Sequence, residues 1–143
     1  MDTKRIGNSV ELSCISILYD LGCEILLPYG DSQDYDIVIQ YKNVFYRVQC
    51  KHANPYFNKD GELEYVTIKT CHESGRKLRK KVHYNKESID FFSTIVNGVC
   101  YLIPVEETAS RIKTLRFTNT KNGMITNISY AKDYEAKKIL ESL

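Results

Sequence analysis

The stretch that most constrains this chain is Tyr35-Asp36-Ile37-Val38-Ile39-Gln40-Tyr41, which continues through Lys42-Asn43 into Val44-Phe45-Tyr46-Arg47-Val48-Gln49-Cys50-Lys51. Alternation with a period of two predicts a strand on each side of Lys42-Asn43. Two residues are too few for any connection but a tight turn, so the strands form an antiparallel hairpin. On the first strand Ile37 and Ile39 share one face, and Asp36, Val38 and Gln40 the other. On the second, Arg47, Gln49 and Lys51 lie opposite Tyr46, Val48 and Cys50. A hairpin sets the start of one strand beside the end of the next. Asp36, Gln49 and Lys51 therefore meet at one end of the sheet.

The remaining segments supply the layers around that hairpin. Residues 9–21 place Val10, Cys14, Ile17, Leu18 and Leu21 at helical spacing, and Gly22 is the expected stop. Residues 23–29 read as a strand closed by Pro28 and Gly30. Residues 52–64 carry Pro, Asn and Asp-Gly and read as a loop or hairpin tip, followed by a strand over 64–71. Residues 74–88 are polar and basic, and their pattern does not decide between loop and helix. Two strands over 89–96 and 98–105 flank Asn97-Gly98, a hairpin signal. A further strand over 114–119 and a short C-terminal helix within 131–143 complete the expectation. No repeat, low-complexity tract or linker interrupts the chain, so one α/β (α+β) domain over residues 1–143 is expected.

Composition narrows the function classes. With 143 residues, 43% hydrophobic and 27% charged, the chain can bury about 70% of its unfolded surface, and disorder is excluded as the main state. No apolar run approaches the roughly 20 residues that span a bilayer, and the start MDTKRIGNSVE has no apolar signal core. No membrane partner is expected. Cys14, Cys23, Cys50, Cys71 and Cys100 are odd in number and contain no CxxC pair. That pattern argues against a zinc site or a disulfide framework, and for a reducing cell interior. The net charge of +2 hides an uneven layout. Residues 1–50 hold four basic and seven acidic side chains, whereas residues 51–100 hold nine and six. An acidic first third and a basic middle suit a cation-holding centre beside a phosphate-attracting surface, although such asymmetry also arises by chance.

Two features bear on that layout. Glu11 borders the apolar stripe of the first helix, where a carboxylate needs a partner. A divalent metal is one such partner. The spacing Asn8-x-x-Glu11 also fits a capping box, in which Glu11 would only close the helix N-terminus. Downstream, Arg76, Lys77, Arg79, Lys80 and Lys81 place five cations in six positions. Such a run is ordinarily a solvated loop, and beside a cation-holding centre it would be a track for a phosphate backbone, with His83, Tyr84 and Asn85 adding hydrogen bonds.

Taken in order, these blocks resemble the PD-(D/E)xK nuclease superfamily, most closely its group I intron-associated homing endonucleases. The blocks are Gly7-Asn8-Ser9-Val10-Glu11, Pro28-Tyr29-Gly30, Tyr35-Asp36-Ile37-Val38 and Gln49-Cys50-Lys51. Tyr84 with Ile89-Asp90-Phe91-Phe92, and Tyr101-Leu102-Ile103-Pro104-Val105, follow. The resemblance spans roughly residues 5–106. It implies a restriction endonuclease-like fold, a mixed β-sheet core flanked by helices. Gln49 replaces the acidic residue of (D/E)xK, as is usual in the intron-associated branch, and Tyr35 stands where the superfamily pattern has proline.

The same resemblance implies hydrolysis of phosphodiester bonds in double-stranded DNA, with Mg²⁺ as cofactor and Mn²⁺ as a substitute. Asp36, Gln49, the Cys50 carbonyl and Glu11 are the implied ligands, all hard oxygen donors. Lys51 would orient or deprotonate the attacking water, or stabilise transition-state charge; the second suits a lysine beside anions. Cutting both strands implies a homodimer or homotetramer, and an intracellular, nucleoid-associated location. A Holliday junction resolvase acting on branched DNA shares this core, and a weakly active or inactive DNA-binding protein that retains the fold is the reading Gln49 keeps open.

Overall fold

The computed structural model describes residues 2–74, 80–108, 111–120, 123 and 126–143, with side chains described for all of these except 72–74 and 80–83. Helix α1 (Thr3–Asp20) opens the chain, followed by β1 (Glu24–Leu26), β2 (Ile37–Tyr41) and β3 (Val44–Cys50). The hairpin forms as expected. Ile37 opposes Val48 and Tyr41 opposes Val44, while Lys42 and Asn43 take positive φ of 50° and 64°. Two successive positive φ values give the turn whose twist matches that of paired strands.

Beyond the hairpin lie β4 (Asn54–Phe57), β5 (Leu63–Lys69), β6 (Cys71–Ser74), β7 (Lys80–His83), β8 (Phe91–Val96), β9 (Val99–Pro104) and β10 (Ile112–Arg116), before helix α2 (Ala136–Glu141). A five-stranded mixed sheet runs β1-β2-β3-β8-β9. All its pairs are antiparallel except β3 with β8, which are parallel, with Gln49 beside Phe92. A three-stranded sheet, β10-β5-β4, and a two-stranded ribbon of β6 and β7 complete the strands.

Alternation along the large sheet feeds two cores. Ile37, Ile39, Val48, Phe91, Cys100 and Leu102 point to one face, against Cys14 and Leu18 of α1 and Leu140 of α2. Phe92, Tyr101 and Ile103 point to the other, against Val66 and Ile68 of β5 and Leu115 of β10. Both faces of β8 and β9 are thus covered, which is why these strands read as nearly unbroken apolar runs. Each large side chain so buried contributes roughly 1.5–3 kcal/mol relative to exposure.

Several expectations need correction. The helix expected over 9–21 starts at Thr3, where the Asp2 side chain accepts the Arg5 N–H at 2.8 Å. Asn8 and Glu11 therefore lie inside the helix, and the capping-box role of Glu11 fails. Its C-terminal stop holds: Gly22 has φ of 99°, and the Gly22 and Cys23 N–H groups donate back to Tyr19 and Leu18 carbonyls. Of the two readings of residues 52–64, loop or hairpin tip, the structure has the hairpin: β4 forms an edge strand antiparallel to β5, and the tip lies at residues 58–62. The undecided stretch 74–88 contains β7, paired antiparallel with β6, the strand just before it in the chain. All five cysteines are free thiols, four of them buried. No helix of the described residues is long and apolar enough to cross a membrane.

Arg47 closes the layer above the hairpin. Its backbone N–H and Nε both donate to Asp90 Oδ2, at 2.8 and 3.2 Å, and Lys86 Nζ lies 3.3 Å from Oδ1. The guanidinium also donates to the Lys86 and Glu87 carbonyls, pinning the segment ahead of β8. Burial alone would raise the Asp90 carboxyl, but the Arg47 bonds and Lys86 outweigh it and hold it below its ordinary 3.8. A carboxyl lowered by folding stabilises above its unfolded pKa, and that contribution is lost as pH falls through the folded value. Asp90→Asn should therefore cost about 1–3 kcal/mol at pH 7. Its urea midpoint should also fall less than the wild type's between pH 7 and pH 3.

Candidate active site

The register of the hairpin builds the site. Continuing it one step past Ile37–Val48 sets Asp36 opposite Gln49. The Asp36 N–H donates to the Val48 carbonyl at 2.9 Å, and its Oδ2 accepts the Cys50 N–H at 2.8 Å. One carboxylate oxygen is thereby committed to the backbone of the neighbouring strand, which fixes the direction of the other. Lys51 leaves the end of β3 with its N–H bonded to the Ser93 carbonyl at 2.8 Å, so β8 anchors the strand from its far side.

Glu11 reaches this strand end from the helix layer. Cys14, one turn further along α1, is fully buried and receives the Ser93 hydroxyl hydrogen bond at 3.2 Å. Ser93 also meets Cys100 at 3.3 Å, so a buried chain of thiols and hydroxyl ties α1 to β8 and β9. That packing sets the rotation of α1, and with it the side on which Glu11 emerges. Glu11 and Asp36 then line one cleft of about 290 Å³, together with Asp31, Tyr35, Pro28 and Gly30.

Charge couples these groups. The Glu11 carboxyl is pushed up by burial and then by the negative charge of Asp36. Asp36 is itself raised by burial, against the opposing pull of the Cys50 N–H and the Lys51 ammonium. Burial lowers Lys51, Asp36 and Cys71 oppose that, and Lys69 adds to it. Burial is the largest cause for all three groups, and the negative charge of Asp36 adds to it at Glu11 and opposes it at Lys51.

Fit to a divalent cation follows from the donor set. Glu11 and Asp36 offer carboxylate oxygens, and Gln49 and the Cys50 carbonyl would add neutral ones, all suited to a hard ion. Among the described residues no three His, Cys, Asp or Glu side chains cluster as a metal site, so the neutral donors and solvent would have to complete any coordination. A ligand that binds the folded state alone stabilises it, by about 2.7 kcal/mol at a hundred times its Kd. Mg²⁺ should accordingly raise the wild-type Tm, and Asp36→Asn should abolish that rise. In EDTA at neutral pH the sign reverses. A carboxyl raised by folding is destabilising when ionised, so Asp36→Asn should then melt above the wild type.

Of the residues singled out in the sequence, Glu11, Asp36, Cys50 and Lys51 are brought together with Gln49 at this strand end. The basic run is placed only in part. Lys80 and Lys81 lie on β7, opposite Ser74 and Glu73 in the backbone register, and Arg76, Lys77 and Arg79 fall outside the described residues. Tyr84 sits at the site itself. Its ring lies under the Lys51 Nζ, 5.1 Å from the centroid, and meets Phe92 edge to face at 5.3 Å. Burial, then Asp34, Asp36 and Cys71, push its phenol up to about 12. Sequence reasoning did not assign Asp31 to the cleft or Asp34 to Tyr84. The acidic loop 31–36 was visible as composition, but loop residues carry no periodicity from which to tell their direction.

Comparison with known proteins places this geometry. No curated protein matches the chain. The solved structure of the bacterial homing endonuclease I-Ssp6803I superposes with a TM-score of 0.76 at 20% identity, covering 99% of this chain and 95% of that one. That likeness shows the restriction endonuclease-like fold. Residues 1–137 match the family described as PD-(D/E)XK endonuclease, almost the whole sequence, and the chain therefore belongs to the PD-(D/E)XK endonuclease family.

Proposed function

We propose that this protein is a Mg²⁺-dependent endonuclease that hydrolyses phosphodiester bonds of double-stranded DNA, with Mn²⁺ as a substitute. Each active site belongs to a single domain spanning residues 1–143, and two strands are cut by a homodimer or homotetramer. The protein works inside the cell, where free thiols persist and nucleoid DNA is the substrate. The observation that carries this reading is that Asp36 lines one cleft with Glu11 and, through its hydrogen bond to the Cys50 N–H, sits at the strand end that leads into Lys51.

Asp36, Glu11, the Gln49 amide oxygen and the Cys50 carbonyl would hold the cation. When bound, the cation supplies Lewis acidity and a water of lowered pKa. Lys51 does the rest of the electrostatic work at this end of the sheet. Phosphoryl transfer spreads negative charge over the phosphate oxygens, and a fixed ammonium meets that charge without reorganising. Asp36 opposes the lowering that burial imposes on Lys51. Gln49 in place of a carboxylate leaves the site one negative charge poorer, which weakens attraction for the cation and lessens repulsion of the DNA. Arg76, Lys77, Arg79, Lys80 and Lys81 would follow the DNA backbone, a contact whose strength falls steeply with salt.

A cleavage assay with linear duplex and four-way junction DNA, in Mg²⁺, tests the reading on wild type and Asp36→Ala. Cutting of linear duplex by the wild type alone is expected. Symmetric cutting of the junction only would instead make the protein a resolvase. Salt-dependent DNA binding without nicking, and without cation uptake, would leave a DNA-binding protein that retained the fold.

A further inference from the structure

A tyrosine next to a basic run reads as a DNA contact, but the ring of Tyr84 is already engaged. It directly follows β7, packs against the core beneath β5 and β8, and meets Phe92 at 87° with centroids 5.3 Å apart. Phe92 is fully buried and lies beside Gln49 in the parallel register of β3 and β8. The ring thus packs on the strand next to β3, the strand that carries Gln49 and leads into Lys51. Above it stands the Lys51 Nζ, 5.1 Å from the centroid, within the reach of a cation–π contact.

We propose that Tyr84 is a positioning residue for Lys51, its ring holding the ammonium over the site by a cation–π contact. The inference rests on the nuclease reading above. Lysine has a flexible four-carbon stem and about 2 kcal/mol of rotamer entropy to lose. Asp36 attracts the ammonium, but the same carboxylate is needed for the cation, whose charge would then repel Lys51. A ring quadrupole attracts an ammonium without offering a competing anionic ligand to the metal. Lys69 also bears on Lys51 with like charge, so a neutral partner on the Tyr84 side keeps the ammonium from swinging away. The contact needs the ring and not the hydroxyl.

The test uses the full chain with Tyr84→Phe, Tyr84→Leu, Tyr84→Met, Lys51→Met and the double variant Tyr84→Leu with Lys51→Met. Single-turnover cleavage of linear duplex in Mg²⁺ is measured at saturating DNA, with DNA Kd measured separately. Tyr84→Phe should cleave within about threefold of wild type, and Tyr84→Leu and Tyr84→Met about tenfold more slowly, with Kd unchanged. Once Lys51→Met is in place, Tyr84→Leu should cause no further loss. Urea unfolding of the same four-member cycle in EDTA should show non-additive midpoints, a readout independent of activity. Equal losses in both Lys51 backgrounds, a raised Kd with an unchanged saturated rate, or Tyr84→Phe as slow as Tyr84→Leu would each overturn the proposal. A wild type that cleaves no DNA overturns the nuclease reading and this role with it. A cleaving wild type with no Tyr84–Lys51 coupling overturns this role alone.

Discussion

Asp36→Asn should lower single-turnover DNA cleavage by about a thousandfold or more while leaving the protein folded. The two consequences separate because Asp36 has two jobs. Its Oδ2 accepts the Cys50 N–H at 2.8 Å, which locks the start of β2 against the end of β3. An asparagine carbonyl keeps that acceptor. What the amide lacks is the negative charge that, in the proposed function, would hold a cation together with Glu11, and that opposes the effect of burial on Lys51. Asp36→Ala removes both, leaves a backbone N–H unsatisfied, and should cost a further ~1–3 kcal/mol of stability. Cleavage rates read beside urea midpoints distinguish the jobs. If Asp36→Asn retains cleavage within tenfold of wild type, the chemistry does not run through this strand end.

Lys51→Met should come next, with a loss of about 10²–10³ in the single-turnover rate. Methionine preserves much of the length of the apolar lysine stem, so the change isolates the charge. One ammonium among the many phosphate contacts a basic surface makes contributes little to overall affinity, and DNA Kd should shift by less than about tenfold. A rate loss at saturating DNA therefore reports transition-state charge and not binding. Lys51→Arg should recover only part of the rate, since guanidinium is broader and spreads the same charge over a plane. Full Mg²⁺-dependent cleavage by Lys51→Met would remove Lys51 from the mechanism.

How much of this was legible depended on how local each cause is. The β2–β3 hairpin was readable because its pattern, turn and register are set by adjacent residues, down to the left-handed conformations of Lys42 and Asn43. That local rule alone placed Asp36 across from Gln49 and next to Lys51. The start of α1 differs from the expectation because residues 3–8 lie outside the apolar stripe as read; Asp2, a capping residue eight positions before Val10, the first residue of that stripe, begins the helix. The partnership of Arg47 with Asp90 spans 43 positions and leaves no trace in either segment.

Glu11 marks the boundary between the two kinds of information. Sequence left it with two roles, because a carboxylate beside an apolar stripe and one at a helix N-terminus share the same spacing. Only the packing of Cys14 and Leu18 against the sheet fixes the turn of α1 that carries Glu11 to Asp36. Tyr84 is similar: its neighbours in sequence suggested DNA, and its neighbours in space are Lys51 and Phe92. By itself the sequence determined the hairpin and the three residues at its end, since strand alternation and a two-residue turn leave no other arrangement. The tertiary structure decided which distant groups join them, because the parallel pairing of β3 with β8 and the seating of α1 depend on buried surface contributed from across the whole chain.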